Sequence, residues 1–424
     1  MLCGSGGGGG PVLAGEFAYG AGYSLAHDSN ITRVPTDPVP EWTQTLYGGF
    51  AYRENTIDLN ARLLAQAEKR YFARNTFSDD SGFFMDGSAV WTLLPKQFAW
   101  TVEDTFREVR LDLTTADTPA NRTDTNTLST GPDFTLRLDT TNSLGLGARY
   151  GRFDIKGPGD NERYSGHARL LHQISAVTTL SLNYEATHEN FEPGALFTKV
   201  LREDRFVSYA TRESPTNNVT IDVGTTRVVP EGREELSGRL ARLSAARQLT
   251  SESALRASLA YEISETYRDL LGGLASTTVL GSSVATPDIY RTQRGELSYA
   301  VQGGRFGYTL QGYARRIDYE QLDDLDHQEK GGRLAWTWLH SGDTRFFANA
   351  DYLRRTFLNF ERTDVERNIG VGVTYRLTRN VSVVAEGVRM ENESSASLGN
   401  FVNRRGMLLL GYSTGPLYAV QSRR

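Results

Sequence analysis

Two histidine-acid dipeptides are the residues of this chain best suited to acid-base chemistry. His27 is followed by Asp28, and His188 is followed by Glu189, so each imidazole has a carboxylate beside it in sequence. A hydrolase would also need a nucleophile within hydrogen-bond reach of such a base. The sequence predicts a closed β-sheet, as argued below, and its closure does not bring the strands that carry the two dipeptides together. We therefore predict that the protein is not an enzyme and has no catalytic residues.

Three short patterns have the composition of ion-binding sites. The Asp-Asp-Leu-Asp run at 323–326 clusters the carboxylates that Ca²⁺ prefers, but it lacks the spacing of a calcium-binding loop. Gly-Pro at 131–132 and Gly-Gly at 303–304 have the residue types of phosphate cradles, which bulges and turns also use. We predict a solvated acidic loop, bulge or turn glycines, no metal site and no cofactor.

A period-two alternation of apolar and polar residues recurs from about Phe17 to Tyr412. In one copy Leu255 and Leu259 share a parity, whereas Arg256 lies on the other. Because successive side chains of a strand point to opposite faces, each such segment has one apolar and one polar face. The segments exceed the about five or six residues of a usual soluble strand and suit the about nine to eleven that cross a bilayer. The pattern indicates transmembrane β-strands.

Composition agrees with a β-barrel and excludes several other classes. The 424 residues carry 46 basic and 51 acidic side chains, a net charge of −5, which does not indicate nucleic-acid binding. Mean hydropathy is −0.43, and no apolar run is long enough for a transmembrane helix. In a barrel only alternate residues face lipid, so average hydropathy stays low. The 20 Tyr, 19 Phe and 5 Trp suit interfacial aromatic girdles, and the single Cys excludes an internal disulfide framework.

Short polar turns alternate with longer connections along the chain. Nine tight turns are predicted at 53–55, 95–96, 139–142, 175–176, 214–216, 250–253, 303–304, 341–344 and 378–380. Longer connections are predicted at 28–42, 73–82, 113–126, 192–203, 271–288, 320–328 and 392–400. Nine hairpins plus a first strand at 16–27 and a last strand at 401–413 predict an all-β fold. It is a single closed antiparallel up-and-down transmembrane barrel of about 20 strands, with 18 as the alternative.

The predicted topology divides the chain into a flexible Gly-rich segment (1–15), the barrel (16–413) and a short tail (414–424). A barrel of this size has a diameter of ~40 Å, from a strand spacing of about 4.8 Å and a tilt of about 40°. The connection at 271–288 is expected to be a disordered outside loop, and an inward-folded constriction is the alternative. Residues 1–15 lack the regions of a signal peptide, although a barrel must be exported, so we expect a truncated or misassigned start.

The polar parity of the strands predicts the residues that line the lumen. Both charge signs occur on it in similar numbers, which suits a neutral or weakly charged glycan better than a selected ion. The alternative for each residue is a purely structural role in interior ion pairs and hydrogen bonds. The predicted pore-lining residues are Asp58, Arg62, Asp133, Arg137, Arg149, Asn183, Glu185, Asp222, Arg256, Glu262, Arg345, Asn349, Asp351 and Arg376.

Several stretches resemble a known family. They are Gly-Tyr-Ser-Leu at 22–25, Asp-Ser-Asn-Ile at 28–31, the strand Tyr-Gly-Gly-Phe at 47–50, and Gly-Pro-Asp-Phe at 131–134. With the layout of nearly the whole chain, they resemble β-barrel porin family 2 and the outer-membrane barrels of exosortase (PEP-CTERM) and exopolysaccharide gene clusters. The resemblance implies a Gram-negative outer-membrane barrel and, by association, a conduit for secreted polysaccharide.

We therefore expect a passive outer-membrane conduit for exopolysaccharide export, with both termini in the periplasm. Outer-membrane lipid and lipopolysaccharide would surround it, and periplasmic polysaccharide-export components are the expected partners. Two alternatives remain open. One is a diffusion porin for small solutes, and the other is a non-conducting structural or adhesive barrel.

Overall fold

In the computed structural model the chain is almost entirely β-strand. The structure describes residues 15–155, 159–193, 195–272, 288–396 and 399–415, with backbone only for 270–272. The elements are β1 Glu16–Asp28, β2 Glu41–Asn55, β3 Leu59–Phe72, β4 Asp80–Leu94, β5 Phe98–Arg110, β6 Arg122–Arg137, β7 Asn142–Ile155, β8 Asn161–Gln173, β9 Thr178–Phe191, β10 Lys199–Ser214, β11 Asn217–Pro230, β12 Leu236–Gln248, β13 Ser253–Glu265, α1 Thr266–Gly272, β14 Ile289–Gln302, β15 Phe306–Tyr319, β16 His327–Leu339, β17 Thr344–Phe357, β18 Thr363–Arg376, β19 Val381–Ser394 and β20 Phe401–Ser413. Single 3₁₀ turns lie at Pro119–Asn121 and Asp323–Leu325.

The strands form one closed antiparallel sheet. Each strand pairs with its neighbours in sequence, and β1 also pairs with β20, from Gly20 opposite Ser413 to Asp28 opposite Arg405. The prediction of a single 20-stranded up-and-down barrel is therefore confirmed. Strands of 13 to 16 residues at about 3.3 Å per residue and a tilt of about 40° rise about 33–40 Å along the barrel axis.

Turns and loops lie at opposite ends of the barrel. All nine predicted hairpins are present, with connections of two to four residues, and we call this the turn end. The other end, the loop end, also has short connections at 231–235 and 358–362, which the sequence analysis did not identify. One predicted turn was displaced: β2 continues to Asn55, and the turn lies at 56–58. There the Thr56 amide donates to the Leu59 carbonyl at 2.8 Å.

The outward face of the wall is apolar, as expected for contact with lipid. Leu182, Val223, Leu297 and Leu408 are each more than half exposed on this face. Near the turn end the outward side chains include Trp100, and nearer the loop end they include tyrosines. This arrangement matches the apolar band and aromatic girdles of membrane barrels. No helix in the part of the chain that the structure describes is long and apolar enough to cross a membrane.

Candidate functional site: the lumen and its closure

The inward face of the wall carries the polar side chains predicted from strand parity. Asp58 is the exception: it lies in the 56–58 turn, where its carbonyl accepts a hydrogen bond from the Thr92 amide at 2.7 Å. The other predicted residues face inward at Arg62 (β3), Asp133 and Arg137 (β6), Arg149 (β7), Asn183 and Glu185 (β9), Asp222 (β11), Arg256 and Glu262 (β13), Arg345, Asn349 and Asp351 (β17) and Arg376 (β18). That they line a transport path remains a prediction.

Four charged residues of this set have partners of opposite charge on neighbouring strands: Asp133, Arg149, Glu262 and Asp351. Arg149 donates to Asp133 at 2.6 Å, which joins two of the predicted residues. Glu262 accepts from Arg242 at 2.6 Å and from Arg294 at 3.1 Å, two arginines that the sequence analysis did not select. Where such pairs form, opposite charges lie side by side and their fields partly cancel.

The histidine-acid dipeptides are separated by the wall itself. His27 faces outward and packs against Trp42, with ring centroids 4.7 Å apart. Asp28 faces inward, where it accepts a hydrogen bond from Asn403 at 2.7 Å. Glu189 likewise faces inward, whereas the neighbouring His188 is exposed on the outer face. Since adjacent residues of a strand point to opposite faces, neither dipeptide forms an acid-base pair.

The acidic run in the β15–β16 loop braces that loop. Asp326 accepts hydrogen bonds from the Tyr319 amide at 2.6 Å and from Asn359 at 3.1 Å. Asp323 and Asp324 are exposed. Within the described ranges, no group of three or more His, Cys, Asp or Glu side chains is placed to hold a metal ion. Gly131 and Pro132 lie within β6. The pairing of β6 with β7 includes Thr130 and Asp133 on either side of them but not these two residues.

The end of the β5–β6 hairpin leaves the wall and enters the lumen. Pairing of β4 with β5 stops at Met85 and Phe106, and pairing of β6 with β7 stops at Thr125 and Ile155. Beyond these points residues 107–110 pair only with 122–125. Side chains of both parities are buried or half-buried there. We call residues 107–125 the crossing hairpin, because its loop reaches the opposite wall.

Apolar and ionic contacts hold the tip of the crossing hairpin against β17 and β18. Leu113 is 1% exposed and packs against Phe357 and Phe360. Arg110 lies 3.8 Å from Glu366. β5 and β17 are far apart around the barrel, so these contacts span the lumen.

The loop of the crossing hairpin contains a half-buried carboxylate with cationic neighbours. Asp117 accepts two hydrogen bonds from Arg122, at 2.8 and 2.9 Å, and lies 3.9 Å from Arg33 of the β1–β2 loop. Burial raises the pKa of Asp117, but the Arg122 hydrogen bonds and the charges of Arg122, Arg33 and Arg110 outweigh it, and the net pKa is below the ordinary value. Burial lowers the pKa of Arg33. The loop is thus tied both to its own hairpin and to the β1–β2 loop.

A second segment enters the lumen from the other side. Residues 262–265 at the end of β13 are all buried, and α1 follows directly. Tyr267 of α1 packs in a cluster with Val109 of the crossing hairpin and with Phe153 and Ile155 of β7. Its hydroxyl donates to the Leu128 carbonyl at 3.2 Å. The two inward segments therefore meet inside the barrel.

One glycine makes this contact feasible. A Cβ on Gly151 of β7 would lie 2.5 Å from the Tyr267 hydroxyl oxygen, closer than side chains pack. The Tyr267 ring also lies under the Arg163 guanidinium, 3.9 Å from the ring centroid.

Buried charges surround α1. Arg163 bridges Glu189 at 2.7 Å and Glu265 at 2.5 Å, and all three side chains are less than a tenth exposed. Arg268 donates to Asp204 at 2.7 Å. These pairs join α1 and the end of β13 to β8, β9 and β10.

A further ionic cluster stabilises the wall against which the crossing hairpin packs. Glu329 accepts from Arg315 at 3.0 Å and from Arg355 at 2.8 Å, and Arg355 also donates to Glu366 at 3.3 Å. Glu366 is the residue that Arg110 of the crossing hairpin approaches. The cluster therefore links the wall to the closure, which comprises the crossing hairpin and residues 262–269.

The crossing hairpin was not predicted from the sequence. Residues 113–126 were interpreted as an outside connection, whereas β6 begins at Arg122 and the connection packs inside the barrel. A usable signal was present, since Leu111 and Leu113 are apolar residues in an otherwise polar stretch. Of the connection at 271–288, for which an outside loop and an inward-folded constriction were both considered, residues 273–287 lie outside the described residues, so neither interpretation is tested.

No protein family model matches this chain, and no curated protein matches it in sequence. The resemblance to β-barrel porin family 2 therefore finds no support in these comparisons. Among solved structures, the chain is similar to the FrpB iron transporter from Neisseria meningitidis (F3-3 variant), with a TM-score of 0.50 and 10% identity, covering 93% of this chain and 81% of that chain. It also matches the siderophore receptor PirA from Pseudomonas aeruginosa, with a TM-score of 0.44 and 13% identity, covering 93% and 80%. At such low identity the FrpB match supports the fold, a large closed β-barrel.

Proposed function

We propose that this protein is an outer-membrane transport channel, closed in the conformation described here, and that its cargo is an exported exopolysaccharide. The observation that carries the proposal is the division of the lumen. Toward the turn end, inward side chains such as Arg62, Arg137 and Arg345 are exposed, whereas toward the loop end two segments from opposite walls meet. A permeation path closed at one end is the arrangement of a gated channel.

The proposed orientation follows the general rule for outer-membrane barrels. Short turns face the periplasm and long loops face the outside. The turn end, which also carries the start of β1 and the end of β20, would then be periplasmic. Cargo would enter from periplasmic export components and leave past the closure.

The chemistry of the lumen supports a polyhydroxylated cargo. Inward arginine and carboxylate side chains, some of them ion-paired, supply many hydrogen-bond donors and acceptors, and both signs of charge are present. Ion selection would favour a ring of one sign. Hydroxyl groups donate and accept hydrogen bonds and need no net field, which fits a neutral or weakly charged glycan.

The second candidate is a non-conducting structural barrel. The extent of the closure favours it, because Leu113 and the Arg163 cluster are almost fully buried. A diffusion porin for small solutes would have to open its lumen in the same way as a polysaccharide export channel. It would differ from that channel because it would conduct without a polymer-export partner, and its loss would not change polysaccharide secretion.

Conductance in planar bilayers tests the proposal. The informative variant replaces residues 111–121 with Asn-Gly, which joins β5 to β6 by a short hairpin turn and removes the crossing loop. The matched control replaces loop-end residues 231–235, which are all exposed, in the same way. We expect the first variant to conduct several-fold more often than wild type and the control to resemble wild type.

Secretion separates the candidates further. Loss of the protein is expected to abolish export of the polysaccharide, and the control variant is expected to restore it. A first variant that folds but stays silent in bilayers would support the structural barrel. If the first variant conducts in bilayers but loss of the protein leaves polysaccharide secretion by cells unchanged, the diffusion porin would be supported.

A further inference from the structure

A small cavity lies between the barrel wall and the crossing hairpin. Its volume is about 130 Å³, and it is bounded by β1, β2, β3 and β20 on the wall side. Arg33 of the β1–β2 loop and Asp117, Thr118 and Pro119 of the crossing hairpin cover it. Binding pockets for drug-sized ligands occupy about 300–1,000 Å³, so this cavity admits only one small chemical unit.

Two polar groups in the cavity lack hydrogen-bond partners. Thr43 is 6% exposed, and its Oγ1 makes no hydrogen bond. Arg405 is opposite Asp28 in the β1–β20 ladder, but its Nε makes no hydrogen bond and lies 3.9 Å from the Asp28 carboxylate. Burial of a polar atom without a hydrogen-bond partner is unfavourable, so these two atoms are suited to bind a polar ligand.

The remaining lining has both charge signs and an apolar part. Guanidinium and carboxylate groups are close to balanced around the cavity, and the Asp117–Arg122 pair is already satisfied. Met407 and Leu409 of β20 supply an apolar surface. A sugar ring has the matching features, since its hydroxyls donate and accept and its C–H faces are apolar. A compact inorganic anion would meet the carboxylates of Asp28 and Asp117.

We propose that this cavity is a saccharide subsite that binds a single neutral or weakly charged pyranose unit. The Thr43 hydroxyl and the Arg405 guanidinium are its specific hydrogen-bonding groups. The inference rests on the proposed export of polysaccharide, because it names the part of the lumen that recognises one unit of the cargo.

Tyr47 shapes the wall side of the subsite. A Cβ on Gly22 of β1 would collide with the Tyr47 hydroxyl and ring, so the ring lies across this glycine. Gly411, opposite Gly22 on β20, is also adjacent to the Tyr47 hydroxyl. The two glycines leave room for an aromatic surface that lines the cavity and on which a sugar can pack.

Saturation-transfer NMR on the full-length protein in detergent tests the inference. The probes are the methyl glycosides of glucose, galactose and mannose, with sodium glucuronate and inorganic phosphate as anionic comparisons. Thr43→Val removes the hydroxyl at nearly constant shape, and Arg405→Gln removes the charge. Thr309→Val, on the inward face of β15, is the matched control. Heat-modifiable electrophoretic mobility confirms that each variant is folded.

We expect at least one methyl glycoside to bind wild type and the control equally. Loss of one hydrogen bond, about 0.5–1.5 kcal/mol, should weaken its binding roughly 2- to 12-fold in Thr43→Val. Equal binding by all three variants, or binding of phosphate and no glycoside, would overturn the subsite. Sugar binding by a protein that never conducts would support the subsite and refute the proposed channel. Conduction without sugar binding would support the channel and refute the subsite.

Discussion

Leu113 provides the sharpest test of whether the lumen closure is a gate. Its side chain is 1% exposed and packs against Phe357 and Phe360 on the far side of the lumen. If the crossing hairpin withdraws as proposed, this side chain loses that contact and returns to water. Leu113→Ala would then destabilise the closed state and leave the open state nearly unchanged.

The size of the effect follows from the buried surface. Full burial of a leucine side chain contributes about 1.5–3 kcal/mol, of which alanine keeps a minor part. A loss of about 2 kcal/mol changes an equilibrium constant by roughly 30-fold, since each 1.4 kcal/mol is a factor of ten. We expect the open-to-closed ratio to rise by about that factor.

Single-channel recording in planar bilayers measures this ratio directly as the fraction of time spent open. Leu111→Ala is the matched control, because Leu111 belongs to the same loop but is 44% exposed. The reasoning is wrong if both variants fold and open equally often. It is also wrong if Leu113→Ala lowers barrel stability without changing the open fraction, because the leucine would then be part of a permanent core.

Three further changes have definite expected results. Gly151→Ala should displace Tyr267 and raise the open fraction in the same single-channel recordings. Gly145→Ala is the control and should not, because its added Cβ would lie 3.8 Å from the nearest atom. Glu329→Gln should lower the free energy of unfolding by about 3–5 kcal/mol in urea titrations, because it breaks a buried ion pair. The lowered pKa of Asp117 means that its stabilisation is complete above the unfolded pKa of about 3.9 and is lost as pH falls through the lower folded value. The open fraction should thus be constant from pH 7 to about 5 and rise below about 4, and Asp117→Asn should raise it at pH 7 and weaken the acid response.

The wall of the barrel was predictable because lipid imposes a simple rule. Outward positions that contact lipid are mostly apolar, so the alternation of apolar and polar residues identifies the lipid-facing side of each strand. The last strand, predicted at 401–413, is Phe401–Ser413 in the structure. Turns were equally clear, since residues such as those at 303–304 are turn formers. Errors arose where polar residues continue a strand past its expected end, as at 53–55.

The closure was not predictable by the same rule. Inside the lumen both faces of the crossing hairpin contact protein, so residues 107–110 are buried or half-buried on both parities, and their sequence shows no apolar–polar alternation. The residues that they contact across the lumen are determined by the three-dimensional position of the hairpin. Arg110 meets Glu366 of β18, and nothing in the sequence distinguishes this glutamate from others of the same parity. Pairing across a lumen depends on which loops bend inward, and strand periodicity carries no information on that.

The polar character of the closure argues for a gate rather than a permanent plug. Buried ion pairs contribute little net stability, because desolvation of the charges offsets their attraction, although loss of one partner is costly. Arg110, Asp117 and Arg268 would regain hydration if the two segments withdrew into a water-filled lumen. In the part of the chain that the structure describes, the apolar clusters around Leu113 and Tyr267 and the ion pairs of Asp117 oppose that movement. If the barrel is gated as proposed, its closed state is specific in its contacts, and a modest free energy would separate it from the open state.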